Sequence, residues 1–274
     1  MLKNKIIFLD IDHTLIDESL YPSASALEAL KQAKANGHKL YLNSGRSVCQ
    51  VFDYLWEIGF NGFIGGNGSY IESEGKALFY QPIPQAIVTH IWSYLTKNQI
   101  GFLAEGQKSL YADPLYLPKL AALLKVSQAE AQAKTDRIFP STSYNQAEPK
   151  ENVNKFSIVL NEEVDLQLIS NYVSPELITG RWQLFGQPRE FADLFQGGNN
   201  KGNAIQILMK ALDLPMSDAF CFGDSSNDIE MLSMAGTGVA MGNAIPELKA
   251  VADYVTDPIG QDGLWNAFRH LELI

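Results

Sequence analysis

The chain has 274 residues, 46% of them hydrophobic, enough to bury a sizeable core in one large domain or two smaller ones. Lys and Arg number 21 against 31 Asp and Glu, so the net charge is −10 and no basic cluster reverses it locally. That balance excludes nucleic acid and anionic membrane as partners, and an anionic substrate would need cations supplied at its own site.

The opening run KIIFLD (Lys5 to Asp10) reads as a strand buried on both faces. A chain that enters a strand so early carries no expected signal peptide. Pro22 and Ser23 open a helix with Ala26, Leu27, Leu30 and Ala33 at helical spacing, and Asn36-Gly37 ends it. KLYLNS (Lys39 to Ser44) is a second strand, Val48 to Gly59 a second helix, and Gly62 to Gly66 a third strand. Strands alternating with helices imply a parallel sheet and an α/β fold.

The pattern changes after a hairpin over Tyr70 to Gln81 that turns at Glu74-Gly75. A segment of mixed character follows Pro82 and Pro84. It contains a helix near Ile87 to Asn98, a strand near Gly101 to Ala104 and a short helix near Pro118 to Leu124. A polar stretch from Ser127 to Asn154 leads to a strand over Lys155 to Leu160 and a helix from about Asp165 to Val173. This α+β insert ends near Gln187-Pro188. Alternation then returns with an amphipathic helix (Lys201 to Leu212), a strand (Ala219 to Asp224), a helix (Ile229 to Ala235) and a strand (Thr237 to Met241). Two short helices and a strand close the chain. No run approaches the about 20 apolar residues of a membrane helix. Cys49 and Cys221 sit in apolar strings with no disulfide or zinc spacing, and read as core residues in a reducing cytoplasm.

Polar clusters stand at the carboxyl ends of these strands, the edge where open α/β sheets bind ligands. Asp10-Ile11-Asp12-His13-Thr14 follows the first strand, Ser44-Gly45-Arg46 the second, and Asp224-Ser225-Ser226-Asn227-Asp228 the strand from Ala219. Gly198-Asn199-Asn200-Lys201-Gly202 enters a helix without the spacing of a P-loop. Each string alone is an ordinary cap or turn. Together they would form an oxygen-rich pocket suited to a hard divalent cation, Mg²⁺ being the natural choice.

DIDHT, SGR, the lysine of NNKG and GDSSND together resemble the four motifs of the haloacid dehalogenase superfamily. GGNGSYI (Gly65 to Ile71) and MGNA (Met241 to Ala244) further resemble its Cof-type phosphatases. The resemblance implies a Rossmann-like parallel-sheet core from residues 1–81 and 188–274, with residues 82–187 inserted as an α/β cap that sets specificity. It implies a phosphatase acting on a small phosphorylated metabolite, such as a sugar phosphate, through an aspartyl-phosphate.

By the same resemblance Asp10 is the nucleophile and Asp12 the general acid and base. Asp10, the Asp12 backbone carbonyl, Asp224 and Asp228 are the implied Mg²⁺ set. Ser44, Gly45, Lys201 and Asn227 are the implied phosphoryl ligands. His13 stands at a position that is often Gly in Cof-type members. A dehalogenase is disfavoured because Asp12 is present. A phosphotransferase or mutase on the same scaffold, and a non-catalytic phosphometabolite-binding protein, are the rival readings. Tyr144, Arg181, Trp182 and Arg189 are candidate cap contacts to substrate.

Overall fold

The computed structural model describes residues 4–144, 152–160, 166, 169, 174, 176–182 and 191–274. The chain divides into two compact units. One comprises residues 1–45, 52–80 and 199–274, the other residues 46–51 and 81–198.

The first unit begins with β1 (Ile6–Leu9), α1 (Ala24–Ala35), β2 (Lys39–Asn43), α2 (Asp53–Glu57), β3 (Gly62–Gly65), β4 (Tyr70–Ser73) and β5 (Lys76–Tyr80). The second contains α3 (Gln85–Lys97), β6 (Phe102–Gly106), β7 (Leu110–Ala112), α4 (Tyr116–Leu124), α5 (Gln128–Ile138), β8 (Thr142–Ser143), β9 (Val153–Val159), β10 (Leu177–Trp182) and β11 (Phe191–Gln196). The chain returns to the first unit with α6 (Lys201–Ala211), β12 (Ala219–Gly223), α7 (Ile229–Met234), β13 (Thr237–Ala240), α8 (Pro246–Lys249), β14 (Tyr254–Val255) and α9 (Gly263–His270).

The first unit's sheet has the order β14-β13-β12-β1-β2-β3-β4-β5. It is parallel from β14 to β3, and the β3-β4-β5 meander is antiparallel. Both faces are covered, so the central strands read as continuous apolar runs. On one face Ile6, Phe8, Tyr41 and Cys221 join Ile205, Leu208 and Met209 of α6 and Met231 and Leu232 of α7 in a single core. Toward the other face Phe222 meets Phe268 of α9 at 5.1 Å between ring centroids. Each such side chain contributes about 1.5–3 kcal/mol on burial. The hairpin turn at Glu74-Gly75 has φ of 50° and 74°, left-handed at both positions as a two-residue turn requires.

The second unit's sheet has the order β10-β11-β9-β6-β7-β8. Phe102, Ala104, Phe156, Ile158, Ala192 and Leu194 pack with Val88, Ile91 and Leu95 of α3. Glu105, Lys155, Ser157 and Asp193 form a buried polar network. Lys155 Nζ lies 2.8 Å from Asp193 Oδ2 and 3.4 Å from Glu105 Oε1. Burial pushes the Glu105 carboxyl up, against the pull of Lys155.

Three sequence expectations change here. The helix expected over Val48 to Gly59 is a single tight turn at Val48–Gln50, an extended break at Val51 and Phe52, and α2. The residues leading into it are held within the second unit: Ser47 Oγ donates to Glu105 Oε2 (3.0 Å), and Arg46 Nη1 donates to the Ile138 carbonyl (3.1 Å). The polar stretch expected from Ser127 contains α5, started by a reciprocal pair in which Ser127 accepts from the Glu130 amide and Glu130 accepts from the Ser127 amide. The insert also runs past its expected end, because β11 pairs with β9 and β10 in the second sheet. Gln187 and Pro188 themselves lie outside the described residues, as does the helix expected over Asp165 to Val173 apart from Leu166 and Ile169.

Candidate active site

Strand register sets the site. Leu9 of β1 pairs with Leu42 of β2 and with Phe222 of β12. Asp10, Ser44 just past Asn43 and Asp224 just past Gly223 therefore leave the sheet along one carboxyl edge. The chain lays β2 and β3 on one side of β1, then β12 and β13 on the other. The reversal at β1 is the switch point at which α/β sheets open a crevice.

Asp10 is buried, and its amide donates to the Phe222 carbonyl at 3.0 Å. Thr14 Oγ1 donates to Asp224 Oδ1 at 3.1 Å, joining the first and last acidic strings. Asp228 turns back over the strand end, and its Oδ2 accepts from the amides of Asp224 and Ser225, both at 3.0 Å. Gly223 makes that turn possible, since a Cβ there would lie 2.5 Å from Asp228 Cγ. Lys201 is the first residue of α6, whose N-cap Asn200 accepts from the Asn203 amide at 2.7 Å. Its buried ammonium lies 2.7 Å from Asp10 Oδ1 and 2.6 Å from Asp228 Oδ1.

Carboxylate oxygens of Asp10, Asp224 and Asp228 all lie within 4.8 Å of one another. Three carboxylates facing one ammonium leave two negative charges in excess when all are ionised. Burial, with repulsion from Asp228 and Asp12, pushes Asp10 up to about 7 despite the attraction of Lys201. Burial, with repulsion from Asp10 and Asp228, pushes Asp224 up to about 8. Burial alone would lower Lys201, but Asp10 and Asp228 outweigh it and hold the ammonium above its ordinary value. A hard divalent cation bound by oxygen ligands would cancel the excess, so the donor set fits Mg²⁺.

Asp12 is half-buried, and its carboxylate is not one of the three that converge. Ser44 is buried, with its amide donating to the Ile64 carbonyl at 2.9 Å. Gly45 lies against Asn227: a Cβ on Gly45 would be 3.5 Å from Asn227 Nδ2. His13 is exposed with φ of 58°, a left-handed conformation that explains the preference for Gly there. Asn243 of the MGNA string donates to the His13 carbonyl at 2.9 Å and so supports the loop between Asp12 and Thr14.

Sequence reasoning missed two asparagines. Asn43 Nδ2 donates to the Lys201 carbonyl at 3.3 Å. Asn67 is buried with φ of 54° and sits beside Gly45 and Asn227. A glycine-flanked Asn after a strand was the available signal for the second. Of the candidate cap residues, Tyr144 donates to Asp136 Oδ1 at 2.7 Å. Arg181 and Trp182 lie in β10, and Arg189 is outside the described residues.

The haloacid dehalogenase-like hydrolase model matches residues 7–268. The chain belongs to that family. YkrA of Bacillus subtilis is 31% identical over 100% of both chains. Pyridoxal phosphate phosphatase YbhA of Escherichia coli is 28% identical over 95% of this chain and 97% of its own. A solved sugar phosphatase of haloacid dehalogenase subclass IIB superposes with a TM-score of 0.76 at 27% identity, covering 99% of this chain and 100% of that one. The chain is a haloacid dehalogenase-type phosphatase with an α/β fold. Among the described residues no helix is long and apolar enough to cross a membrane.

Proposed function

We propose that this phosphatase is Mg²⁺-dependent and hydrolyses a small phosphorylated metabolite through an aspartyl-phosphate on Asp10. One observation carries the reading: Asp10, Asp224 and Asp228 converge within 4.8 Å around a single lysine. Asp10 and Asp224 would hold the metal together with the Asp12 backbone carbonyl, and Asp228 would assist directly or through water. When bound, Mg²⁺ would offset the repulsion between an anionic nucleophile and an anionic substrate.

An Asp10 carboxylate oxygen attacks phosphorus, and the bond from phosphorus to the leaving oxygen breaks. Asp12 gives that oxygen its proton. It then takes a proton from the water that attacks the aspartyl-phosphate, and the bond from phosphorus to Asp10 breaks to release inorganic phosphate. Ser44, the Gly45 amide, Lys201 and Asn227 hold the phosphoryl oxygens. In-line transfer needs mainly such positioning and charge stabilisation. The second unit serves as the cap that selects the leaving group, which is a sugar or a ring such as pyridoxal.

The test is phosphate release from a panel of sugar phosphates, pyridoxal phosphate and p-nitrophenyl phosphate. Activity is expected with Mg²⁺ and not with EDTA. Undiminished turnover in metal-stripped protein would rule out the metal. Transfer of the phosphoryl group to an added sugar, with no inorganic phosphate released, would favour a phosphotransferase instead.

A further inference from the structure

The loop after β3 places a polar side chain within the site that no motif role accounts for. Residues Gly66, Asn67 and Gly68 form a tight turn, and Asn67 stands in it with φ of 54° and ψ of 38°. Only Gly, Asn and Asp adopt that conformation readily. The turn is wedged between two parts of the site. A Cβ on Gly68 would lie 2.4 Å from the carbonyl oxygen of Asn200, the residue capping the helix that begins with Lys201. A Cβ on Gly45 would lie 3.0 Å from Asn67 Oδ1.

The amide of Asn227 is held from both ends. Ser225 Oγ donates to Asn227 Oδ1 at 2.6 Å, which turns Asn227 Nδ2 the other way. That Nδ2 then donates to Asn67 Oδ1 at 3.5 Å. Asn227 is itself solvent-exposed, so without these partners its side chain would sample several rotamers. Asn67 is 7% exposed and supplies the fixed end.

We propose that Asn67 is a positioning residue for phosphoryl recognition, its side-chain carbonyl orienting the Asn227 amide beside Gly45. The role rests on the phosphatase reading above, in which Asn227 and Gly45 hold phosphoryl oxygens. Asn67 touches neither the nucleophile nor the metal set. It acts through Asn227, by selecting the rotamer in which one amide hydrogen of Asn227 is used on Asn67 and the other is free for a phosphoryl oxygen. A misaimed donor loses most of its effect on a developing charge.

The test is a double-mutant cycle with p-nitrophenyl phosphate and Mg²⁺. Asn67→Gly keeps the left-handed backbone and removes only the amide. It should lower kcat/KM about tenfold or more and raise the inhibition constant of orthovanadate by a similar factor. The inhibition constant does not depend on the fraction of folded enzyme, so partial unfolding alone would leave it unchanged. Asn227→Ala should give a comparable loss, and Asn67→Gly added to it should cost less than about twofold more.

The proposal is overturned if Asn67→Gly stays within about twofold of wild type, or if the two losses multiply. Should Asn67→Gly fail to fold, Asn67→Asp keeps both the acceptor oxygen and the left-handed preference. Its Asn227 side-chain NH₂ resonance is then expected to stay at a hydrogen-bonded shift, and a signal moved to the solvent-averaged position would refute the role. Wild-type protein that releases no phosphate from any ester would defeat the phosphatase reading instead, and the two failures are distinct.

Discussion

The ammonium of Lys201 lies 2.7 Å from Asp10 Oδ1, and neither group has appreciable contact with solvent. The same ammonium is 2.6 Å from Asp228 Oδ1. One lysine thus answers two of the three converging carboxylates. Lys201→Met would leave the buried anionic cluster without the ammonium that pairs with Asp10 and Asp228. Removing one partner of a buried ion pair typically costs about 3–5 kcal/mol. Urea denaturation in EDTA should register a loss of that order, and saturating Mg²⁺ should recover part of it. An unchanged midpoint would mean that the cluster does not depend on Lys201.

Asp10→Asn should behave in the opposite way. It removes the nucleophile but also removes one of three crowded charges. Turnover should fall about a thousandfold or more, while the melting temperature in EDTA stays level or rises. A variant with wild-type turnover would exclude Asp10 from the covalent step.

The crowding also predicts a pH dependence of stability in metal-free protein. Asp10 titrates near 3.8 when unfolded and is pushed up to about 7 in the fold, while Asp224 is pushed from 3.8 to about 8. Between these values the folded state binds more protons than the unfolded state. Stability is therefore fully present below about pH 4 as far as these groups contribute, and falls as pH rises toward about 8. Calorimetry in EDTA should show a melting temperature that declines across that window. Saturating Mg²⁺ should flatten the decline, because a bound cation favours the ionised carboxylates.

A second buried lysine makes an independent prediction in the other unit. Lys155 stands between Asp193 and Glu105, and Ser157 Oγ lies 2.7 Å from oxygens of both carboxylates. Lys155→Met should destabilise by about 3–5 kcal/mol, and adding Asp193→Asn should recover part of the loss. Tryptophan fluorescence during denaturation would follow it. Loss of less than about 0.5 kcal/mol would show that solvent reaches the network freely.

What the sequence determined by itself was local. Apolar runs such as Ile6–Leu9 and Ala219–Gly223 were legible as buried strands because both faces of a parallel sheet are covered. Asp10, Ser44 and Asp224 were legible as strand-end residues because the motifs follow those runs directly. Helix α5 was equally local, and its Ser127 to Glu130 capping pair was readable, although the polar composition of the segment concealed it. Only tertiary structure decided which distant groups meet. Thr14 and Asp224 are 210 residues apart in the chain, yet one hydrogen bond joins them, because β12 returns to pair with β1. The pairing of Lys201 with Asp10, and the reach of Asn67 to Asn227, follow from the same return. Local propensity is set by neighbours in the chain, whereas charge and hydrogen bonding are settled by neighbours in space.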